Sequence, residues 1–354
     1  MPIPTEPIGS VPRTARLLAA MTAHAQGRID SDALRTITER AVAETIAAME
    51  ATGSPIITDG EQGKPSFATY PLVGLDCLAP DGVLIPFQDG HTRQLPRLTK
   101  GPFRYGIYSG IYVEAARRYA KKPVKQAVIS PSALSLLYPA NGISGYTRDR
   151  FLDDLTAESA KDIRSALDAG AASVQIDFTE GRLSVKLDPS RALLHDFVGL
   201  INRVLSHFSE AERRRIGVHT CPGGDQDCTH SADVDYADLL PDLFKIDVGN
   251  VFMQMASERD RPRIYGIVSD HRRPEQRVFV GVADPIDPVV ETAEVVRDRV
   301  LEAAGFLPAG HLGTTDDCGF APFGDDTSTA RETAFAKIKA RVDGTRLAEK
   351  VLGI

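Results

Sequence analysis

The sequence predicts an α/β chain folded as a (β/α)8 TIM barrel. Three observations carry the prediction. Short apolar runs alternate with amphipathic helical segments along the whole chain, about eight such runs can be counted, and no GxGxxG fingerprint follows any of them. At 354 residues the chain is longer than most domains, yet α/β barrels of this size fold as one unit. A single domain over 1–354 is therefore expected, with the weakly patterned stretch 78–122 as an insertion after the second strand, placed to act as a lid.

The elements follow in order. PIGS at residues 7–10 is the first strand candidate, and ALRTITERAVAETIAAME repeats apolar residues at helical spacing before a Thr-Gly-Ser-Pro stop. PIITDGE is the second strand. VKQAVIS precedes a helix over about 148–168, and AASVQIDF precedes RALLHDFVGLINRVLSHF. RIGVHTC is a strand, and DLFKIDVG is read as the next, with NVFMQMASE as its helix. RVFVGVAD leads to ETAEVVRDRVLEAAGF, and LGTTDDCG leads to a long helix from about Thr327 to Leu352.

Composition narrows the function. A net charge of -7, with no basic run longer than Arg213-Arg214-Arg215, argues against a nucleic-acid surface and for a small-molecule substrate. No stretch approaches the ~18–20 apolar residues of a membrane span, and the N-terminal residues lack a signal core. A cytoplasmic protein is expected. Its cysteines, Cys77, Cys221, Cys228 and Cys318, are then thiols or metal ligands rather than disulfides.

In a barrel the chemistry sits at the C-terminal ends of the strands. The residues there are Ser10, Glu61, Ser130, Asp177, His219 with Cys221, Asp247, Asp284 and Cys318. Asp and Ser are also ordinary helix caps, so each alone says little. His219 and Cys221 say more, because residues i and i+2 of a strand face the same side. Three readings are open: a zinc site completed by Cys318 across the barrel mouth, a local site of His219, Cys221, Cys228 and His230, or buried residues with no metal. Zinc held by thiolates would take a substrate thiol and ionise it, preparing it for alkyl transfer. Glu61 and Asp177 would bind the ammonium of an amino-acid thiol.

These residues resemble the cobalamin-independent methionine synthase family, in its catalytic C-terminal barrel. IGSVPRT, DGEQGKPSF, KKPVKQAVISPSALSLL, VQID, HTC and DDCG are each similar to a family motif, together covering most of the chain. The resemblance implies a zinc-dependent methyltransferase that moves a methyl group to homocysteine from methyltetrahydrofolate or another carrier. It also implies Zn2+ on His219, Cys221 and Cys318, and homocysteine on Ile8, Gly9, Ser10, Glu61 and Asp177. The family's fourth ligand, a Glu, is matched by Asp247.

Two departures bear on the methyl donor. The chain has no Trp where the family stacks one on its folate, the matching position being Leu137 followed by Tyr138. A family His involved in proton handling is replaced by Ile286, leaving Asp284 as the catalytic candidate, with Asp287 nearby. Two other functions suit the same barrel: opening of an epoxide by coenzyme M, which would prefer Arg or Lys at positions 61 and 177, and a metal-free decarboxylase, which needs no His-x-Cys with a distant Cys.

Overall fold

The computed structural model describes residues 2–354. Six parallel strands form one sheet: β1 (Lys125–Ile129), β2 (Ser173–Asp177), β3 (Ile216–Thr220), β4 (Asn250–Met253), β5 (Arg277–Ala283) and β6 (Leu312–Asp316), each beside its neighbour in chain order. Both edges are extended by short segments. Thr5 bridges Thr314 of β6, and Ile57 bridges Val124 at the start of β1, both parallel. These two segments also touch each other, Val11 N donating to Gly60 O at 3.1 Å and Thr58 Oγ1 to Gly9 O at 2.7 Å. The second expected strand is thus present as a single bridge, whereas the first expected strand, residues 7–10, is irregular and the bridge lies just before it at Thr5; the chain has the α/β fold of a TIM barrel.

The strands are buried on both faces, as parallel strands under helices must be. Alternate side chains divide between two environments. Val174, Ile176, Val218, Val251 and Met253 pack into the large outer core beneath the helices. Phe252 and Phe279 point the other way and stack at 4.4 Å between ring centroids, forming a separate inner cluster with Ile8. Lys125 Nζ sits 3.5 Å from the centre of the Phe252 ring and 3.5 Å from Glu6 Oε2, so its burial is offset by a carboxylate and an aromatic face.

Side-chain caps start the long helices. Asp30 caps Ser31–Ala51, Thr147 caps Arg148–Asp168 and Thr292 caps Ala293–Ala304, each accepting a backbone N–H of the first turn. The last helix runs Arg331–Leu352 and ends at Gly353, which adopts φ 71° as a left-handed terminator. Among the described residues, no helix is long and apolar enough to cross a membrane.

One pair of elements differs from the sequence expectation. DLFKIDVG is not a strand: Leu240–Leu243 is one short helical turn, and β4 comes from NVFM, the segment expected to be a helix. A short apolar run has no period long enough to separate the two states, and here tertiary pairing decides. Phe252 is registered between His219 of β3 and Phe279 of β5. The helix that follows is Arg261–His271, capped by Asp260.

The segment 78–122 is also more structured than a simple insertion. Leu84–Pro86 and Thr92–Gln94 pair as an antiparallel hairpin. Gly110–Arg117 is a helix fixed to the Arg148–Asp168 helix, Gly110 N donating to Ser165 Oγ at 3.0 Å. The hairpin lines the barrel mouth through Ile85, Thr92, Arg93 and Gln94. Cys77 is buried in an aromatic-rich second core with Tyr70, Phe103 and Phe151, a packing position where burial pushes its thiol pKa up.

Candidate functional site

The site begins with β3. His219 is registered opposite Asp177 on one side and Phe252 on the other, so it faces the barrel interior. Cys221, two residues on, lies just beyond the strand end on the same side. Cys318 arrives from the turn after β6. The ligand atoms of His219, Cys221 and Cys318 all lie within 4.8 Å of one another, the two sulfurs being 3.2 Å apart.

The turn carrying Cys318 is tied down on both sides. Asp317 accepts from Met255 N at 2.8 Å, Ala256 N at 2.7 Å, Ser257 N at 2.8 Å and Ser257 Oγ at 2.7 Å. Phe320 N donates to Ser10 O at 3.0 Å. Gly319 is required between them, since a Cβ there would stand 2.2 Å from Ser10 Oγ. Asp316 turns to the other side and pairs with the fully buried Arg341 of the last helix.

The donor set fits a soft divalent cation. His219 is 1% exposed, and neither ring nitrogen has a partner among the described residues. A buried imidazole left that way is costly unless an ion takes one nitrogen. The neighbouring Cys221 and burial together push the Cys318 thiol pKa up, which is the response of two close sulfurs with no positive charge between them. Ligand atoms around a tetrahedral zinc with bonds of ~2.0–2.3 Å stand roughly 3.3–3.8 Å apart, a spacing that three ligand atoms all within 4.8 Å of one another can adopt.

The local alternative is not assembled. His230 is buried beside Phe87 with Nδ1 3.0 Å from Ser231 Oγ, and Cys228 Sγ donates to Thr229 O at 3.7 Å. Asp247 is not at the site either. Because β4 starts at Asn250, Asp247 precedes its strand at the N-terminal end of the barrel, where it pairs with Arg213 at 3.0 Å and Arg273 at 3.2 Å. The residue that follows β4 is Gln254, engaged by Arg182 Nη1 at 2.9 Å and Ser257 Oγ at 2.6 Å.

Beside the His–Cys cluster lies a cavity of about 500 Å³, and Ile8, Gly9, Ser10, Glu61, Asp177, His219 and Cys318 all line it. Glu61 holds a left-handed backbone, φ 58°, fixed by Asp59 Oδ1 on its N–H at 2.9 Å and by Arg13 on its carbonyl at 2.8 Å. Its Oε1 accepts from Lys64 Nζ at 2.8 Å, while Oε2 is buried without a partner among the described residues. Lys64, whose ammonium also donates to Ala127 O at 2.8 Å, sits 4.6 Å from the Tyr70 ring centre. Burial pushes Asp177 up to about 6, against the favourable charge of His219.

Asp284 does not line the cavity. Its carboxylate accepts from Ile286 N at 3.0 Å, a turn contact, and burial raises its pKa. Leu137 is fully buried in the second core, and Tyr138 donates to Tyr146 O at 2.6 Å, so neither offers the cavity an aromatic face.

Two cavity-lining positions had little signal in the sequence. Glu180, three residues beyond Asp177, lines the cavity and accepts from Ser130 Oγ and Ser132 Oγ, both at 2.5 Å. Only its place in the loop after a strand could have suggested it. Arg93, on the hairpin, grips both Asp225 and Asp325, with Nη2 at 3.0 Å from each, and lies 4.2 Å over Phe323. Asp225 follows Cys221 and Asp325 follows Cys318, so Arg93 joins the two cysteine-bearing loops across the mouth. Ile85, Phe87, Leu95, Leu136 and Leu183 make the rest of the wall largely apolar.

The chain is similar to known methionine synthases and homocysteine methyltransferases. A methionine synthase of Methanothermobacter marburgensis is 24% identical over 344 residues, covering 96% of this chain and 97% of that protein. A 5-methyltetrahydropteroyltriglutamate–homocysteine methyltransferase of Nitratidesulfovibrio vulgaris is 25% identical over 326 residues, and the chain spans only 38% of its length. Among solved structures, a B12-independent methionine synthase from Shewanella sp. W3-18-1 in complex with selenomethionine superposes with a TM-score of 0.78 over 100% of both chains at 17% identity, a likeness of fold. Residues 3–345 match the family model of the cobalamin-independent synthase catalytic domain, and the chain belongs to that family.

Proposed function

We propose that this chain is a zinc-dependent methyltransferase that methylates a thiol, with homocysteine as acceptor and a methyltetrahydrofolate or another methyl carrier as donor. The observation that carries the reading is the convergence of His219, Cys221 and Cys318, of which His219 and Cys318 line the same cavity as Ser10, Glu61 and Asp177. A zinc bound by this set would supply the ionisation of the acceptor thiol at neutral pH.

The chain's own residues would do the rest. Glu61 has a buried carboxylate oxygen without a partner, and Asp177 faces the same space, so the pair would hold the acceptor's ammonium by charge-assisted hydrogen bonds. The backbone at Ile8–Ser10 forms the wall beside them. The apolar wall and the hairpin would seat the donor and exclude water, so that sulfur and methyl carbon meet in line. Two free thiols held 3.2 Å apart also suit a reducing compartment such as the cytoplasm. The names of the methionine synthase and homocysteine methyltransferase relatives support the acceptor. A sulfonate thiol such as coenzyme M would meet two carboxylates and be repelled. A metal-free decarboxylase would leave His219 without a partner.

Calorimetry of zinc-loaded protein with homocysteine tests this. The expected result is one-to-one binding with proton release, weakened by at least about tenfold in Glu61→Gln, the loss expected for one charge-assisted contact. Absence of homocysteine binding to the zinc-loaded wild type would overturn it.

A further inference from the structure

His219, Cys221 and Cys318 supply three ligand atoms, and among the described residues no fourth His, Cys, Asp or Glu joins them. The neighbouring strand end belongs to β4. Phe252 is registered with His219 and Met253 with Thr220, and Gln254 N donates to Thr220 O at 3.3 Å. Gln254 therefore stands beside Cys221, two residues beyond Phe252 and on the same inward face. It is the side chain of β4 placed to complete the set.

Its amide is held elsewhere at both ends. Oε1 accepts from Arg182 Nη1 at 2.9 Å, and Nε2 donates to Ser257 Oγ at 2.6 Å. Arg182 is itself fixed, since Nη2 donates to Val234 O at 2.6 Å and the guanidinium lies 4.6 Å over the Tyr236 ring. Both side chains are buried, so solvent does not compete for these contacts. An amide oxygen is in any case a poor ligand for a thiolate-bound zinc. Charge points the same way. Two thiolates neutralise a divalent ion, so a carboxylate in a fourth place would leave the centre negative before the acceptor arrived and would repel its thiolate. With Gln254 there, the centre gains its one negative charge only when the acceptor ionises. Arg182, whose hydrogen bonds go to the neutral groups of Gln254 and Val234, keeps its positive charge one side chain away.

We infer that this chain gives its metal three protein ligands and no fourth, and that Arg182 keeps it so by holding Gln254 away. The inference rests on the thiol-methyltransferase reading above. The acceptor thiol then binds by addition: its sulfur bonds to the metal, its S–H proton leaves to solvent, and no protein ligand is displaced. Arg182 and Gln254 are positioning residues here, since they act through the ligand set and do not touch the acceptor.

The test reads the metal rather than turnover, on full-length protein loaded with zinc. X-ray absorption at the zinc edge of the wild type should count two sulfurs, those of Cys221 and Cys318, and three once homocysteine is added. Gln254→Glu keeps the side chain's shape and an oxygen for Arg182. Its spectrum and its zinc affinity, measured by competition with a chromogenic chelator, should match the wild type. Adding Arg182→Met frees that carboxylate, and zinc should then bind at least about tenfold tighter, because even a supporting partner around a metal is worth about 10–100-fold. Homocysteine should bind the double variant more weakly. Tighter zinc in Gln254→Glu alone, weaker zinc in Gln254→Ala, or no gain in a folded double variant would overturn the inference while leaving the thiol site standing. A sulfur count that stays at two with homocysteine would remove the thiol reading and this inference with it.

Discussion

Cys221 Sγ and Cys318 Sγ lie 3.2 Å apart although 97 residues separate them in the chain. Their strands, β3 and β6, are not neighbours, since β4 and β5 stand between them in the sheet. The contact exists because the sheet curls until strand ends three positions apart face each other across the mouth. A flat sheet would hold such strands about 14 Å apart, from a spacing of ~4.8 Å per strand.

Metal content should follow from that contact. The wild type is expected to hold one zinc per chain by elemental analysis. Cys318→Ser should weaken zinc by more than about 100-fold, because even the loss of a supporting partner around a metal costs about 10–100-fold. Full zinc retention in the variant would remove Cys318 from the ligand set.

Asp247 supplies the contrasting case. Its carboxylate pairs with Arg213 and Arg273 at the opposite end of β4 from the cavity. Asp247→Asn should leave zinc stoichiometry and homocysteine binding unchanged, and lower stability by only about 0–1 kcal/mol in chemical denaturation, the worth of partly exposed ion pairs. A loss of zinc would restore Asp247 to the site.

Arg93 should act as the clasp of the hairpin. It is the cationic partner of the buried Asp225, and His91 Nε2 lies 3.1 Å from the same carboxylate. Arg93→Ala is expected to cost about 1–3 kcal/mol through the carboxylate left behind, and to raise hydrogen exchange over residues 84–94 before any change in the barrel strands. Uniform exchange across the chain would mean the clasp is not local.

His230 should make part of the stability depend on pH. Burial lowers its pKa to about 4, from an ordinary value of 6.5, so folding favours the neutral ring. The unfolded chain therefore binds a proton first as pH falls, and stability is lost between about 6.5 and 4, by up to about 3 kcal/mol. His230→Gln should lack this component, so the difference in denaturation midpoint between it and the wild type should change over that interval and stay constant above pH 7. A difference independent of pH would show that His230 is not held neutral.

The alternation of apolar runs and helices, together with His219 and Cys221 two residues apart at one strand end, was enough for the sequence alone to set the fold class and two of the three members of the cluster. Both are local properties, since strand period is 2 and does not depend on neighbours. Ser10, Glu61 and Asp177 were legible as residues expected at strand ends, and Ile8 and Gly9 only through the family resemblance. Tertiary structure decided what no local period encodes. It moved β4 from DLFKIDVG to NVFM and so took Asp247 to the far end of the barrel, because pairing with β3 and β5 outweighs the preference of a short apolar run. It also assembled Lys64 on Glu61, Arg93 across two loops, and Ser130 and Ser132 on Glu180, contacts whose partners lie 3, 132, 232, 50 and 48 residues apart. Most of these distances are set by how the loops close over the mouth, and loop closure depends on the packing of the whole chain rather than on the residues beside each partner.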